Sequence, residues 1–170
     1  ARYAGLSDEQ IQAGFDTFEG IRRRMEIRGE VNGVTVIDDF AHHPTAIRET
    51  LKALSRRFPE RRVWAIFEPR SNTTRRNHFQ IELAEALRLA KRVVVAEVAR
   101  LEQVPPEERL NPAQLMADIR AAGVEADYLP TADDIVAHVV PQAQPGDILC
   151  VLSNGGFDNI HQKLINALEA

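Results

Sequence analysis

The stretch Val36-Ile37-Asp38-Asp39-Phe40-Ala41-His42-His43-Pro44-Thr45-Ala46-Ile47 constrains the chain more than any other. It starts as a short β-branched run, reaches two carboxylates and two imidazoles, and passes through a proline into a helical pattern. Proline fits the first turn of a helix, where its missing N–H would be unpaired and its φ is already helical. Beyond it Ile47, Leu51, Leu54 and Phe58 recur at helical spacing, an apolar face suited to packing on a sheet. Four polar side chains thus occupy one strand-to-helix turn, and in an open α/β sheet that edge is where ligands bind. A single acid there would read as a helix cap; the four together point to a site.

The same alternation runs through the rest of the chain. Buried-type strands are expected at 63–67, 92–98, 126–129 and 148–152, the first and last reading Val-Trp-Ala-Ile-Phe and Ile-Leu-Cys-Val-Leu. Between them helical patterns carry Phe79, Leu83, Leu87 and Ala90; Leu115 and Ile119 after Asn111-Pro112; and Ile135, Val136 and Val139 after Thr131. A last helix carries Ile160, Leu164, Ile165 and Leu168. Ahead of the first parallel strand, two extended runs flank Asn32-Gly33, a strong hairpin signal. Strands alternating with helices of this length predict a Rossmann-like α/β domain of three layers, with a mainly parallel sheet and an N-terminal β-hairpin. Residues 1–18 read as a separate helix with a Ser7–Gln10 capping box, the tail of a preceding domain, and residues 19–170 as the domain proper.

Composition narrows the function classes. The 170 residues are 44% hydrophobic and 27% charged with a net charge of −4, so no global basic field draws nucleic acid. No apolar run approaches the ~20 residues of a membrane span, and no signal-peptide pattern opens the chain; a cytoplasmic location is the expectation. Cys150, the one cysteine, sits in an apolar run and reads as a small buried hydrophobe.

Three polar loops follow buried strands and should converge on one sheet edge: 38–44, 68–76 and 153–158. Arg22, Arg23 and Arg24 precede the hairpin, and arginine's planar fork suits phosphate. Arg70, Arg75 and Arg76, among hydroxyl and amide groups, suit carboxylate recognition. Ser153-Asn154-Gly155-Gly156 offers backbone N–H groups and a helix start to an anion. Adjacent His42 and His43 face one metal ion poorly and lack a third ligand, so no metal site is expected. Neither a G-x-x-x-x-G-K-[ST] phosphate loop nor a G-x-G-x-x-G fingerprint is present. That argues against an ordinary NAD oxidoreductase and requires any ATP to find its main phosphate cradle elsewhere.

Taken together, Gly20-Ile21-Arg22-Arg23-Arg24-Met25-Glu26 and Asp39-Phe40-Ala41-His42-His43-Pro44 resemble the C-terminal domain of the Mur ligases, ATP-dependent amide ligases of bacterial peptidoglycan metabolism. The resemblance covers almost the whole chain, although Phe40 replaces the family's common tyrosine. It implies a three-domain bacterial enzyme of which residues 1–18 would be the last helix of the central ATPase domain. That domain would hold the phosphate loop and most contacts to Mg²⁺. By the resemblance Arg24 would reach the ATP phosphates as the catalytic cation, Asp39 would bond the ribose, and His42 or His43 would lie near the nucleotide. Phe67-Glu68-Pro69-Arg70-Ser71-Asn72-Thr73 looks most like members that add a peptide. Arg70, Ser71, Asn72 and Thr73, with Asn154, Gly155 and Gly156, would then receive the tripeptide L-Ala-γ-D-Glu-meso-diaminopimelate. An acyl phosphate on UDP-N-acetylmuramate would be attacked by the tripeptide amine in cell-wall recycling. The alternatives are a member that adds L-alanine and a non-catalytic nucleotide- or anion-binding module. The 170 residues alone are expected to be inactive.

Overall fold

The computed structural model describes residues 1–18 and 20–170. After a short 3-10 turn at Arg2–Ala4, helix α1 (Asp8–Asp16) leads to one sheet of six strands. These are β1 (Glu26–Val31), β2 (Val34–Asp39), β3 (Val63–Phe67), β4 (Arg92–Ala96), β5 (Glu125–Leu129) and β6 (Ile148–Leu152). Across the sheet they run β1-β2-β6-β3-β4-β5. The β1–β2 pair is antiparallel and every other neighbouring pair is parallel. The hairpin forms because Asn32 and Gly33 both take positive φ, 51° and 79°. A two-residue turn of that hand follows the natural twist of its strands.

Helices α2 (Pro44–Arg57), α3 (Gln80–Leu87) and α4 (Pro112–Ala121) cover one face, and α5 (Ala132–Val139) and α6 (Ile160–Glu169) the other. The central strands β3 and β6 are apolar throughout, and β4 after Arg92, because their alternate residues serve both layers. Ile37, Ala65, Phe67, Val93, Val95, Cys150 and Leu152 pack towards α2–α4. Val36, Trp64, Ile66, Val94, Leu149 and Val151 pack towards α5 and α6. Local signals start the helices as expected. Pro44 opens α2, and the Asn111 and Thr131 side chains accept the Gln114 and Asp134 N–H groups.

Three expectations need correction. Residues 1–18 are not one helix, because Gly5 turns left-handed at φ 82° and separates the 3-10 turn from α1. The 92–98 strand ends at Ala96; beyond it the Val98 N–H turns to the Tyr128 hydroxyl at 3.1 Å. Phe79 lies in a 3-10 turn ahead of α3 and stacks edge-on against His43, 4.8 Å between centroids, instead of joining the buried helix face. The expected boundary between residues 18 and 19 touches Glu19, which lies outside the described residues.

Strand β6 enters between β2 and β3, so the two crossovers on either side of it diverge and leave a crevice at the strand carboxyl ends. Asp39 and Phe67 both stand level with Leu152 of β6. The three following loops therefore start side by side, joined by the Ser153 N–H donating to the Asp39 carbonyl and the Glu68 N–H to the Leu152 carbonyl.

Candidate functional site

Period-2 alternation splits the two carboxylates of β2. Asp38 points to the α6 layer, where it lies 3.4 Å from the Arg23 Nε, 3.6 Å from Arg28 and 3.4 Å from the His161 ring. Burial pushes the His161 imidazole below its usual pKa, against the opposing pull of Asp38. Asp39 points to the α2 layer. Its Oδ2 accepts the Met25 N–H at 2.8 Å, and its Oδ1 accepts the Ala41 N–H at 2.8 Å and the Thr50 hydroxyl at 3.3 Å. Asp39 therefore ties the arginine turn to the β2–α2 turn. Three of its roughly four lone-pair positions are taken, which leaves one for an outside hydroxyl.

The arginine triplet divides in the same way. Arg23 and Met25 adopt positive φ, 57° and 48°, so successive side chains diverge sharply. Arg23 turns inward and donates to the Ser153 and Gly155 carbonyls at 2.6 and 2.9 Å. It is a clamp on the loop after β6, and sequence reasoning gave it no separate role. Arg24 turns outward. Its guanidinium stacks 5.2 Å from the Phe40 ring, and no carboxylate among the described residues pairs with it. It stands on the rim of an open cleft of about 460 Å³ that also holds Asp39, Phe40, His42, His43 and Thr50.

The two histidines differ at Nδ1. His42 Nδ1 lies 2.8 Å from the Phe40 carbonyl, which can only accept, so this nitrogen carries a proton and donates to it. His43 is the N-cap of α2, its Nδ1 accepting the Thr45 N–H at 3.3 Å. The helix cap is thus the histidine and not an aspartate.

Across the crevice, Arg70 lies directly over Gly155. A Cβ at that glycine would stand 2.7 Å from Arg70 Cδ and 2.8 Å from Nε and Nη1, so only glycine lets the guanidinium rest there. Glu68, 8% exposed, steadies both partners: its Oε2 accepts the Ser153 hydroxyl, and its Oε1 is 3.7 Å from Arg70. Ser153 Oγ in turn accepts the Gly155 N–H at 2.9 Å. Sequence reasoning passed over Glu68 as a site residue, although an acid one residue beyond a buried strand was the available signal.

Other expectations meet a different arrangement. The Gly155 N–H and carbonyl are both engaged within the protein, by Ser153 Oγ and Arg23, so Gly155 itself offers no free donor to an anion. The Asn154 Oδ1 is buried without a partner. Ser71 caps its own turn through the Thr74 N–H, and Asn72 takes a long contact of 3.4 Å from Arg76. Thr73 accepts the Arg76 N–H through its carbonyl. Arg75 and Arg76 face away from the crevice: Arg75 donates to the Arg100 carbonyl and Gln103, and Arg76 pairs with Glu108. Of the three arginines, only Arg70 stands at the crevice.

Residues 23–155 match the family model described as Mur ligase, glutamate ligase domain. The UDP-N-acetylmuramate--L-alanyl-gamma-D-glutamyl-meso-2,6-diaminoheptandioate ligase of Escherichia coli (strain K12) is 40% identical over 169 residues, 99% of this chain and 35% of that protein. The UDP-N-acetylmuramate--L-alanine ligase of Nostoc punctiforme is 38% identical over 168 residues, covering 98% of this chain and 34% of that protein. A crystal structure of a murein peptide ligase from Psychrobacter arcticus 273-4 superposes with a TM-score of 0.76 at 37% identity, over 99% of this chain and 34% of that one. The chain spans about a third of the length of the curated relatives it matches.

Proposed function

This chain belongs to the Mur ligase family, as its C-terminal domain, and from that premise we propose that it closes the active site of an ATP-dependent peptide ligase. The ligase joins L-Ala-γ-D-Glu-meso-diaminopimelate to UDP-N-acetylmuramate in the bacterial cytoplasm, as a step of peptidoglycan recycling. No helix among the described residues is long and apolar enough to cross a membrane.

The observation that carries this reading is Arg24, a cation that meets no acidic partner among the described residues and stands on the rim of a largely apolar cleft. A nucleotide fits there, its ring system against Phe40 and Ala41, its ribose towards the spare lone pair of Asp39, and its phosphates at Arg24. Phosphoryl transfer has little covalent chemistry for the protein to perform; positive charge and alignment supply the rate. ATP supplies the phosphoryl group that activates the muramate carboxylate, and the peptide amine displaces it. Mg²⁺ is assigned mainly to the phosphate loop of the central domain, as the cofactor of the same reaction.

The peptide enters over the neighbouring loops. Arg70, fixed against Gly155 and Glu68, receives a carboxylate in a bidentate fork. Ser71, Asn72 and Thr73 form the compact turn beside it, with Asn154 and Gly156 opposite. Fixing the peptide this way brings its amine within attack distance, the entropic part of the barrier. Residues 1–18 are read as the end of the central domain, consistent with an α1 that buries none of its residues and leaves Phe15 71% and Phe18 62% exposed. As the domains close, the cleft becomes a composite site from which water is excluded.

The second reading, an L-alanine-adding member, is kept because such a relative is almost as similar as the peptide ligases. Offering tripeptide and L-alanine in parallel to the full-length enzyme, with ATP and UDP-N-acetylmuramate, separates the two. The expected result is ligation of tripeptide with L-alanine disfavoured at least about tenfold, a preference of ~1.4 kcal/mol. A preference for L-alanine would transfer the case to the second reading.

A further inference from the structure

His161, in the first turn of α6, is a buried ionisable group that the ligase reading leaves without a task. Its side chain is 8% exposed, and its Nε2 is buried with no hydrogen-bond partner among the described residues. That nitrogen faces Asp38 Oδ1 across 3.4 Å. A carboxylate oxygen only accepts, so the contact places a ring proton on Nε2. The helix comes this close because Gly29 of β1 lacks a side chain; a Cβ there would stand 3.0 Å from Ile165, one turn beyond His161.

Asp38 is as enclosed as its neighbour and accepts from no backbone N–H among the described residues. Three side chains hold it. Arg23 Nε and His161 Nε2 share Oδ1, each at 3.4 Å, and Arg28 stands 3.6 Å from Oδ2. All three separations exceed the ~3.2 Å of an ordinary N–H···O bond. The carboxylate is therefore set by several long contacts together, and losing one leaves it free to turn. Burial holds the imidazole below its usual pKa; Asp38 and Glu26 oppose the shift, and Arg28 and Arg23 add to it. The neutral ring is thus the form that meets Asp38 near neutrality. Lys163, on the same helix, is drawn away to Asp133 and Asp158.

What Asp38 holds in turn lies at the crevice. Arg23 spans from Asp38 to the Ser153 and Gly155 carbonyls, and Gly155 lies under Arg70. The far end of the same loop enters α6 through Phe157, Asp158 and Asn159, all left-handed, at φ 43°, 48° and 54°. Non-glycine residues persist in that region only where their surroundings hold them. Arg23 grips the loop from one side and α6 from the other, and the His161–Asp38 contact joins the two grips.

We infer that His161 is a positioning residue for the acceptor: it fixes Asp38, Asp38 fixes Arg23, and Arg23 fixes the loop against which Arg70 rests. The inference rests on the reading of Arg70 as the partner of an acceptor carboxylate. It adds to that reading a residue from the opposite helix layer that touches neither substrate.

The test uses the full-length enzyme, with KM for tripeptide and for ATP measured in His161→Phe, His161→Gln, Arg70→Ala and the His161→Phe, Arg70→Ala double variant. His161→Phe is expected to raise the tripeptide KM about fivefold or more, with the ATP KM unchanged. His161→Gln, which keeps a neutral N–H donor at similar reach, is expected to restore the tripeptide KM to within about twofold of wild type. In the Arg70→Ala background His161→Phe is expected to add nothing to the tripeptide KM, because the group it acts through is gone. KM does not depend on the amount of folded enzyme, so a loss of stability alone does not produce this pattern. Asp38→Asn, an isosteric change at the next link, is expected to show the same split and serves if His161→Phe does not fold. An unchanged tripeptide KM in these variants, or an equal rise with Arg70 already removed, would overturn the assignment while leaving the ligase reading intact. Failure of the wild type to ligate tripeptide would overturn both.

Discussion

Replacing Arg24 with alanine in the full-length enzyme is expected to lower kcat roughly 10²- to 10³-fold, the usual loss on removing a preorganised charge from a transferring group. Thermal stability should hardly move. Arg24 is exposed, contributes one cation–π contact with Phe40, and has no ion pair to lose among the described residues. Arg23→Ala, one residue away, should behave in the opposite sense. Its guanidinium joins the Ser153 and Gly155 carbonyls to Asp38, so its loss leaves a buried carboxylate short of a partner and frees the loop after β6. A melting curve and single-turnover phosphoryl transfer on the two variants distinguish them. Equal loss of stability in both would contradict the division of the triplet.

The largest stability effect is expected at Asp147, far from the site, in the turn that feeds β6. Its carboxylate is 2% exposed and accepts from Arg62 Nε at 2.8 Å and Nη2 at 2.6 Å, from Trp64 Nε1 at 3.1 Å, and from the Gln144 N–H at 2.9 Å. Asp147→Ala strands the Arg62 guanidinium and the buried indole N–H together. Breaking a buried pair from one side costs about 3–5 kcal/mol. At ~2–4 °C per kcal/mol for a domain of this size, the midpoint should fall by about 6–20 °C. The pH dependence has a definite sign. Burial alone would raise this carboxyl's pKa, but the hydrogen bonds from Arg62, Gln144 and Trp64 hold it below the usual carboxylate value. A depressed folded pKa means that the stabilisation is fully present above the unfolded pKa, about 3.9, and is lost as pH falls through the lower folded value. The wild-type advantage should stay constant from neutrality to about pH 5 and shrink only below about pH 4. Denaturant midpoints across that range check it, and an advantage that disappears near neutrality would exclude the account.

Much of the fold could be read locally. Asn32-Gly33 has one comfortable conformation between extended runs, Pro44 sits where its lost donor costs nothing, and Asn111 and Thr131 cap the helices that follow them. The family pattern placed the arginine turn and the β2–α2 turn at one edge. What stayed hidden depends on strands distant in sequence. β6 inserts between β2 and β3 more than a hundred residues after β2 forms, and only then do Arg23, Ser153 and Glu68 meet. The separation of Arg23 from Arg24 follows from positive φ at non-glycine residues, which no spacing rule foretells. Asp38 and Asp39 are a different case. Strand alternation already places neighbours on opposite faces, so their separation was available from the sequence and was obscured by grouping both with the histidines. The 68–76 arginines misled because the chain curls back after Thr74 to bond the 100–109 segment, a contact between loops that carry no periodic signal.

The division of labour along the sheet edge, nucleotide at the β2 end and acceptor at the β6–β3 loops, is the central claim. It is tested most directly by measuring KM for ATP and for tripeptide in full-length Arg24→Ala and Arg70→Ala. The expected pattern is a split: Arg70→Ala raises the tripeptide KM about tenfold or more, a loss of ~1.4 kcal/mol, with the ATP KM unchanged. Arg24→Ala lowers kcat, raises the ATP KM if either, and leaves the tripeptide KM in place. A raised ATP KM in Arg70→Ala, or a change confined to the tripeptide in Arg24→Ala, would contradict the assignment of the two ends.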